Sequence, residues 1–224
     1  MALCLKRRYK LGIILILTVL VFSFGYYTLF YQKEIRIYNP TDLNPELVDS
    51  SLRRIESGHK VSDFHLINQN GKTITQDDYK GKIYVTDFFF TRCPSICPVM
   101  ANNMVKLQQR FLENDDVMLL SLSVTPEMDS VPVLQSYAEK YNAQDSKWNI
   151  ATGDKDHIYE LARKSYFAVN DVSDGLLQDF IHTPNFVLVD TEKQIRGIYD
   201  GTKHDEIERL IVDIEILLRL QNAM

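Results

Sequence analysis

The sequence predicts an α/β fold in which a central mixed sheet carries helices on both faces. Apolar residues make up 45% of the 224 residues, which is enough to build a packed core. Strand-like and helix-like segments alternate from residue 82 to residue 167. This alternation is typical of strand–helix–strand units, and a hairpin and a closing helix follow it.

The first predicted elements are a hairpin and a long central strand. Two short strand-like runs lie on either side of Asn70-Gly71, a pair typical of tight hairpin turns. The run "KIYVTDFFF" (82–90) is β-branched and aromatic, as in a central strand. "VMANNMVKLQQRF" (99–111) repeats apolar residues at helical spacing, and "DVMLLSLSV" (116–124) is a second apolar strand.

The second half continues the alternation. A helix is predicted over 130–142, with a proline in its first turn, and a short strand over 148–153. A helix opened by acidic residues follows over 154–167. The runs "NFVLVD" and "IRGIYDG" then predict a hairpin, and the apolar pattern of 204–220 predicts an amphipathic helix.

The N-terminal region predicts a membrane anchor. Residues Leu11 to Tyr31 contain no charge, and about 20 apolar residues suffice to cross a bilayer as a helix. The alternative is a cleaved signal peptide, but the residues after Val21 are aromatic and lack a small-residue cleavage site. We therefore expect a cytoplasmic tail over 1–10 and a transmembrane anchor over 11–31.

A linker and a single globular domain are expected after the anchor. Residues 32–59 are mostly polar and contain prolines, as a linker does, and 60–224 form the domain. The basic cluster before the span keeps the N-terminus, including Cys4, in the cytoplasm. The expected location is a bacterial inner membrane crossed once, with the soluble domain in the oxidising periplasm. A net charge of −5 without a basic stripe argues against nucleic-acid binding.

Two cysteines directly follow the predicted central strand in "FFFTRCPSICPVM". Pro98 suits the first position of a helix, which would place Cys97 near its N-cap, where free N–H groups favour a thiolate. The sulfurs of Cys93 and Cys97 should therefore project toward the same place, at the carboxyl end of the strand. The three-residue spacer permits a Cys93–Cys97 disulfide and also suits two thiolates converging on a metal, with soft Cu(I) a natural choice.

His182 is the candidate for a third donor to such a metal. It precedes the strand-like run "NFVLVD", within the loop "DFIHTP". If that strand lies beside the run 82–90, the loop comes near the thiols. The competing interpretation of a single histidine beside a strand is a structural role.

These motifs together resemble the SCO/SenC family. The resemblance rests on the strand–C-P-x-x-C-P–helix unit, the Thr-Pro-Glu stretch after the second strand, and the histidine before the penultimate strand. It covers roughly residues 60 to 220, together with a single N-terminal anchor. Family members commonly have D-P-x-x-D after the second strand, whereas this chain has Thr125 at the first acidic position and keeps Asp129.

The resemblance implies a thioredoxin-like three-layer fold with an N-terminal β-hairpin, preceded by a single transmembrane helix. It also implies that Cys93, Cys97 and His182 bind a copper ion. The implied task is assembly of the CuA site on cytochrome c oxidase subunit II, either by delivering copper received from a donor protein or by reducing the cysteines of that site. Thioredoxin-like folds often hold a cis-proline facing the thiols, so Thr183–Pro184 is a hypothetical cis bond.

Three functions therefore compete. The first is a copper metallochaperone, which is not a turnover enzyme. The second is a membrane-anchored thiol–disulfide oxidoreductase that uses Cys93 and Cys97 as catalytic residues. The third is a peroxidase of the same fold with one peroxidatic cysteine. His182 discriminates among them, because copper needs a third donor and thiol exchange does not.

Two further features bear on the site. Met100 and Met104 share one helix face, and we expect them to pack in the core rather than bind copper. Asp87 interrupts an apolar strand, so it needs a hydrogen-bond partner or a raised pKa. It is a candidate for assisting proton transfer at the thiols, against a purely structural role.

Overall fold

The computed structural model describes residues 16–23, 35–43, 48–49, 51–168 and 183–222. The chain divides into two compact units, Met1–Glu34 and Ile35–Met224. In the first unit, helix α1 covers residues 16–23, and its side chains are exposed. None of the helices within the described ranges is both long and apolar enough to cross a membrane. The rest of the predicted span 11–31 lies outside the described residues.

A mixed seven-stranded sheet forms the centre of the second unit, within the part of the chain that is described. Its strands in chain order are β1 His65–Asn68, β2 Thr73–Thr75, β3 Ile83–Phe89, β4 Val117–Ser123, β5 Trp148–Thr152, β6 Asn185–Val189 and β7 Ile195–Asp200. Their order across the sheet is β2-β1-β5-β4-β3-β6-β7. Strands β3, β4 and β5 are parallel, and β6 and β1 pair antiparallel to β3 and β5 respectively. The predicted strands and both hairpins are confirmed.

The helices cover both faces of the sheet, as predicted. They are α2 Ile96–Arg110, α3 Val131–Lys140, α4 Lys155–Glu160, which continues as a π-helix over Leu161–Ser165, and α5 His204–Gln221. Apolar residues of α2, α3 and α5 share one core cluster with one sheet face. Residues of α4 and the π-helix share the cluster on the other face. Met100 and Met104 are buried in the first cluster, which confirms their predicted packing role.

Helix α2 begins earlier than Pro98 predicts. Ile96 is its first residue and Ser95 its N-cap, so Cys97 and Pro98 lie in the first turn. The first N–H groups of a helix have no acceptor within it, so a proline is tolerated anywhere in that turn. The predicted N-cap position of Cys97 is therefore wrong by two residues.

Part of the segment predicted as a linker contacts the sheet. The Arg196 guanidinium donates to the carbonyl of Ile35 at 2.6 Å. Tyr38 forms a β-bridge with Ile195. The buried ring of His59 lies 2.9 Å, through Nε2, from the carbonyl of Ser165. These contacts fix described residues of 35–59 on the globular unit.

The bond between Thr183 and Pro184 is trans, so the cis hypothesis is wrong. No peptide bond among the described residues, which include this one, is cis. The Thr183 hydroxyl donates to the carbonyl of Ala168 at 2.7 Å. The carbonyl of Pro184 accepts from the N–H of Gly201 at 2.6 Å, so both residues are held by neighbouring segments.

Candidate functional site

The thiols lie where the buried strand β3 gives way to α2. The whole of β3 is buried, and Cys93 follows its last residue by four positions. Cys93 and Cys97 are in the reduced form, without a disulfide, and are only 5% and 4% exposed. The two side chains lie close enough for a hydrogen bond from Cys97 to lower the pKa of Cys93. The predicted convergence of both thiols on one point is therefore present, in the reduced form.

Cys93 is the more acidic thiol. Burial opposes ionisation, but hydrogen bonds from the backbone and side chain of Cys97, and then from those of Ser95, outweigh it and lower the pKa of Cys93 to about 6. The Ser95 hydroxyl lies 3.7 Å from the Cys93 sulfur. These donors belong to the start of α2, where N–H groups lack helical acceptors. The helix start thus stabilises a thiolate, as expected.

That thiolate is Cys93 and not Cys97, which corrects the sequence prediction. Burial raises the pKa of Cys97 to about 12, against the hydrogen bond with the Phe90 backbone that lowers it. The neighbouring charges of Cys93 and Asp87 raise the pKa further. Cys97 is therefore the protonated partner, and its S–H donates to the Cys93 sulfur.

This asymmetry predicts different alkylation of the two thiols. Iodoacetamide should label Cys93 with a rate that rises to half its maximum near pH 6, because the thiolate is the nucleophile. Cys97 should stay unlabelled up to about pH 9, because burial keeps it protonated. Mass spectrometry of the labelled peptide measures both rates. Equal labelling of the two cysteines at pH 7 would contradict the assignment.

Asp87 lies on β3 beneath the thiols and is only 3% exposed. The Ser121 hydroxyl donates to its carboxylate at 2.5 Å, and the Trp148 indole N–H donates to that hydroxyl at 2.9 Å. Burial raises the pKa of Asp87 to about 7, and the hydrogen bond from Ser121 only partly offsets this. Both expectations for this residue, a partner and a raised pKa, are confirmed.

The region before His182 and the histidine itself lie outside the described residues, but the strand after them is described. Val85 on β3 lies opposite Leu188 on the antiparallel strand β6. The chain consequently enters β6 at the end of the sheet where β3 leaves it, which confirms the expected strand neighbourhood. Within the described ranges, no group of three or more His, Cys, Asp or Glu side chains could hold a metal ion.

Two polar features near the thiols were not singled out by the sequence. Ser95, in the spacer between the cysteines, contacts the Cys93 sulfur. Asp129, identified from the sequence only as an acidic residue shared with the family, accepts hydrogen bonds from Thr91. Thr91 lies in the thiol loop, residues 90–95 between β3 and α2. A serine between two cysteines could have been predicted from the sequence as a contact of their sulfurs. The contact of Asp129 with Thr91 could not, because it joins residues 38 positions apart and depends on the fold.

The model of the SCO1/SenC family matches residues 53–219. The SCO1 protein homolog of Bacillus subtilis (strain 168) is 33% identical over 159 residues, which are 70% of this chain and 82% of the relative. The sheet and helices described above also match several solved structures of Sco proteins.

The crystal structure of a SCO1/SenC family lipoprotein from Bacillus anthracis str. Ames is 31% identical, with a TM-score of 0.64 over 74% of this chain and 98% of that one. BsSco, a Sco family cytochrome c oxidase assembly protein with an identified disulfide switch, is 32% identical. Its TM-score is 0.61 over 71% of this chain and 93% of that one. Arabidopsis thaliana ScoI with copper bound is 25% identical, with a TM-score of 0.55 over 70% of this chain and 98% of that one. The chain belongs to the SCO1/SenC family.

Proposed function

We propose that this protein is a copper metallochaperone that assists assembly of the CuA site of cytochrome c oxidase. Cys93 and Cys97 supply two sulfur donors, and His182 supplies a neutral imidazole nitrogen. Copper is the cargo, received from a donor protein and passed to oxidase subunit II. The observation that carries the proposal is the pair of reduced, buried cysteines whose side chains lie within hydrogen-bonding reach of each other at the start of α2.

The thiol pair suits a soft monovalent cation. Cu(I) prefers thiolate ligands, and the lowered pKa of Cys93 supplies one thiolate near neutral pH. Cys97 must lose its proton when metal binds, so binding releases a proton. The low solvent exposure of both sulfurs protects bound Cu(I) from competing ligands and from oxidation. Two thiolates leave Cu(I) open to a third donor, which is the role given to His182.

The relatives support copper and oxidase assembly as the cargo and the task. ScoI of Arabidopsis thaliana has been solved with copper bound, and BsSco belongs to a family of oxidase assembly proteins. For His182, the support is its place in the sequence directly before Thr183. Thr183 leads into β6, which enters the sheet beside the end of β3 that carries the thiols.

Replacement of His182 by alanine tests the third donor. We expect Cu(I) affinity to fall by about 100-fold or more, beyond the roughly 10- to 100-fold cost of removing an outer-shell partner of a metal ligand. Competition with a Cu(I)-specific chelator under anaerobic conditions measures the affinity. His204→Ala is the matched control, because His204 lies at the exposed start of α5. Near-equal affinities of the His182 variant and the parent would rule out the three-donor site.

A thiol–disulfide reductase is the second candidate, and the unequal pKa values of the thiols favour it. The Cys93 thiolate attacks a target disulfide and forms a mixed disulfide, releasing one target thiolate. Cys97 then attacks Cys93, which releases the second target thiol and leaves a Cys93–Cys97 disulfide. A peptide carrying the CuA-site cysteines of subunit II as a disulfide is the substrate to use. Its reduction by the His182→Ala variant at the parent's rate, together with undiminished oxidase assembly, would favour this function over copper delivery.

The proposed location follows from the N-terminal segment. Residues 11–31 anchor the chain in the inner membrane, with 1–10 in the cytoplasm and 60–224 in the periplasm as the copper-binding domain. The uncharged stretch and the basic residues before it support this proposal. In the periplasm the two thiols would form a disulfide unless copper or a reductant prevents it.

A further inference from the structure

A fully buried carboxylate stands beside the thiol loop. Asp129 is 0% exposed and accepts four hydrogen bonds. Two of them come from the N–H and the hydroxyl of Thr91, at 3.2 and 2.6 Å. The others come from the hydroxyls of Ser123 at 2.6 Å and Thr125 at 3.0 Å. Hydrogen bonds to an ionised acceptor are about twice as strong as neutral ones, so this cluster holds its members firmly.

The cluster joins the thiol loop to a neighbouring strand. Thr91 lies two residues before Cys93, whereas Ser123 is the last residue of β4. The N–H of Val124 also donates to the carbonyl of Phe89 at 2.9 Å, which continues the β3–β4 pairing up to the loop. Thr91 is thus tied to the sheet at the point where the chain turns toward Cys93.

The Cys93 sulfur depends on where this loop lies. Its hydrogen bonds come from Ser95 and Cys97 at the start of α2, across the turn that begins at Thr91. The cysteine N–H donates to the carbonyl of Phe90 at 3.2 Å, which tightens that turn. A small displacement of Thr91 therefore moves the Cys93 sulfur away from Cys97, which is itself buried in the first turn of α2.

We propose that Asp129 is the positioning residue of the thiol pair: its carboxylate, through Thr91, holds Cys93 within reach of Cys97. The residue touches neither sulfur and acts only through the loop. This role also accounts for Thr125 at the position where family members commonly carry an acid. Here Thr125 donates a hydroxyl to Asp129 and completes the shell of the carboxylate.

A dithiol-specific arsenical tests the distance between the sulfurs without any metal cargo. Phenylarsonous acid exchanges its two As–O bonds for two As–S bonds with a pair of thiols and releases two waters, with no change in oxidation state. Both thiols must reach one arsenic atom, so the affinity reports their proximity. At pH 5 the reagent meets protonated thiols, which separates proximity from thiolate stability.

Three variants separate positioning from general stability. Thr91→Val removes the hydroxyl that ties the loop, and Asp129→Ala removes the whole cluster. Ser123→Ala removes a bond to the same carboxylate without touching the thiol loop, so it is the matched control. We expect the first two to weaken arsenical binding by about tenfold, as the loss of one charge-assisted hydrogen bond would, and Ser123→Ala to stay within about twofold of the parent.

Asp129→Asn, unlike Asp129→Ala, should bind the arsenical as tightly as the parent. The amide oxygen takes the place of the oxygen that accepts from the Thr91 N–H, and the amide nitrogen donates to the Thr91 hydroxyl oxygen. Urea unfolding of every variant confirms that it is folded under the assay conditions. Equal loss of affinity in Ser123→Ala and Thr91→Val, or unchanged affinity in Thr91→Val, would overturn the proposal. Since the assay needs only the two reduced thiols, its outcome does not depend on the proposed copper-binding function.

Discussion

Replacement of Cys93 by serine should lower the affinity for Cu(I) on the order of 1,000-fold or more, because soft thiolates provide most of the binding energy for this ion. It is among the largest effects expected of any single substitution, since Cys93 carries the thiolate at neutral pH. Cys97→Ser should have a comparable effect, because a lone thiolate with one imidazole lacks the second sulfur. Chelator competition on the reduced protein measures both affinities.

Cys4→Ser is the matched control for these variants. Cys4 precedes the predicted anchor and lies outside the described residues, and the proposal gives it no role at the site. The control should bind Cu(I) with the affinity of the parent and one ion per chain. Retention of parent-like affinity in Cys93→Ser would show that copper binds elsewhere, and the proposed function would fail.

Replacement of Asp87 by asparagine should stabilise the protein more at pH 8 than at pH 5. Burial raises the pKa of Asp87 to about 7 from an ordinary 3.8. At low pH the folded protein holds Asp87 in its neutral form. Because the unfolded chain ionises this group more easily, the stability that Asp87 contributes is lost as the pH rises through about 7. Asparagine keeps an acceptor for the Ser121 hydroxyl and never ionises. The gain in unfolding free energy should be about 2 kcal/mol larger at pH 8 than at pH 5.

Urea unfolding of the reduced protein at the two pH values measures this difference. Asp77→Asn is the control, because Asp77 is exposed and should respond alike at both values. A gain that is equal at pH 5 and pH 8 would show that Asp87 is already ionised at pH 5 in the folded protein, so that burial does not raise its pKa to about 7. It would also remove Asp87 as a candidate for proton transfer at the thiols.

Much of the fold could be predicted because its signals are local. The run around β3 is β-branched and aromatic over a strand's length, and Asn70-Gly71 marks a hairpin whose glycine takes a positive φ of 71°. Apolar spacing located α2 and α5 within a few residues. The two cysteines could be identified as a candidate site because a strand end and a helix start both point to that position.

The properties of the thiols could not be predicted, because they depend on contacts between distant segments. From the sequence, the helix start was expected to favour a thiolate at Cys97. The folded chain buries that sulfur and turns the donors of Ser95 and Cys97 toward Cys93. The role of Asp129 depends in the same way on its contact with Thr91, because only the packed loop brings them together.

X-ray absorption at the copper edge of the Cu(I)-loaded protein, compared with the His182→Ala variant, addresses the proposed ligand set directly. We predict two sulfur scatterers and one nitrogen scatterer per copper in the parent, with the nitrogen lost in the variant. A site with sulfur donors alone in the parent, or an identical spectrum in the variant, would contradict binding by Cys93, Cys97 and His182.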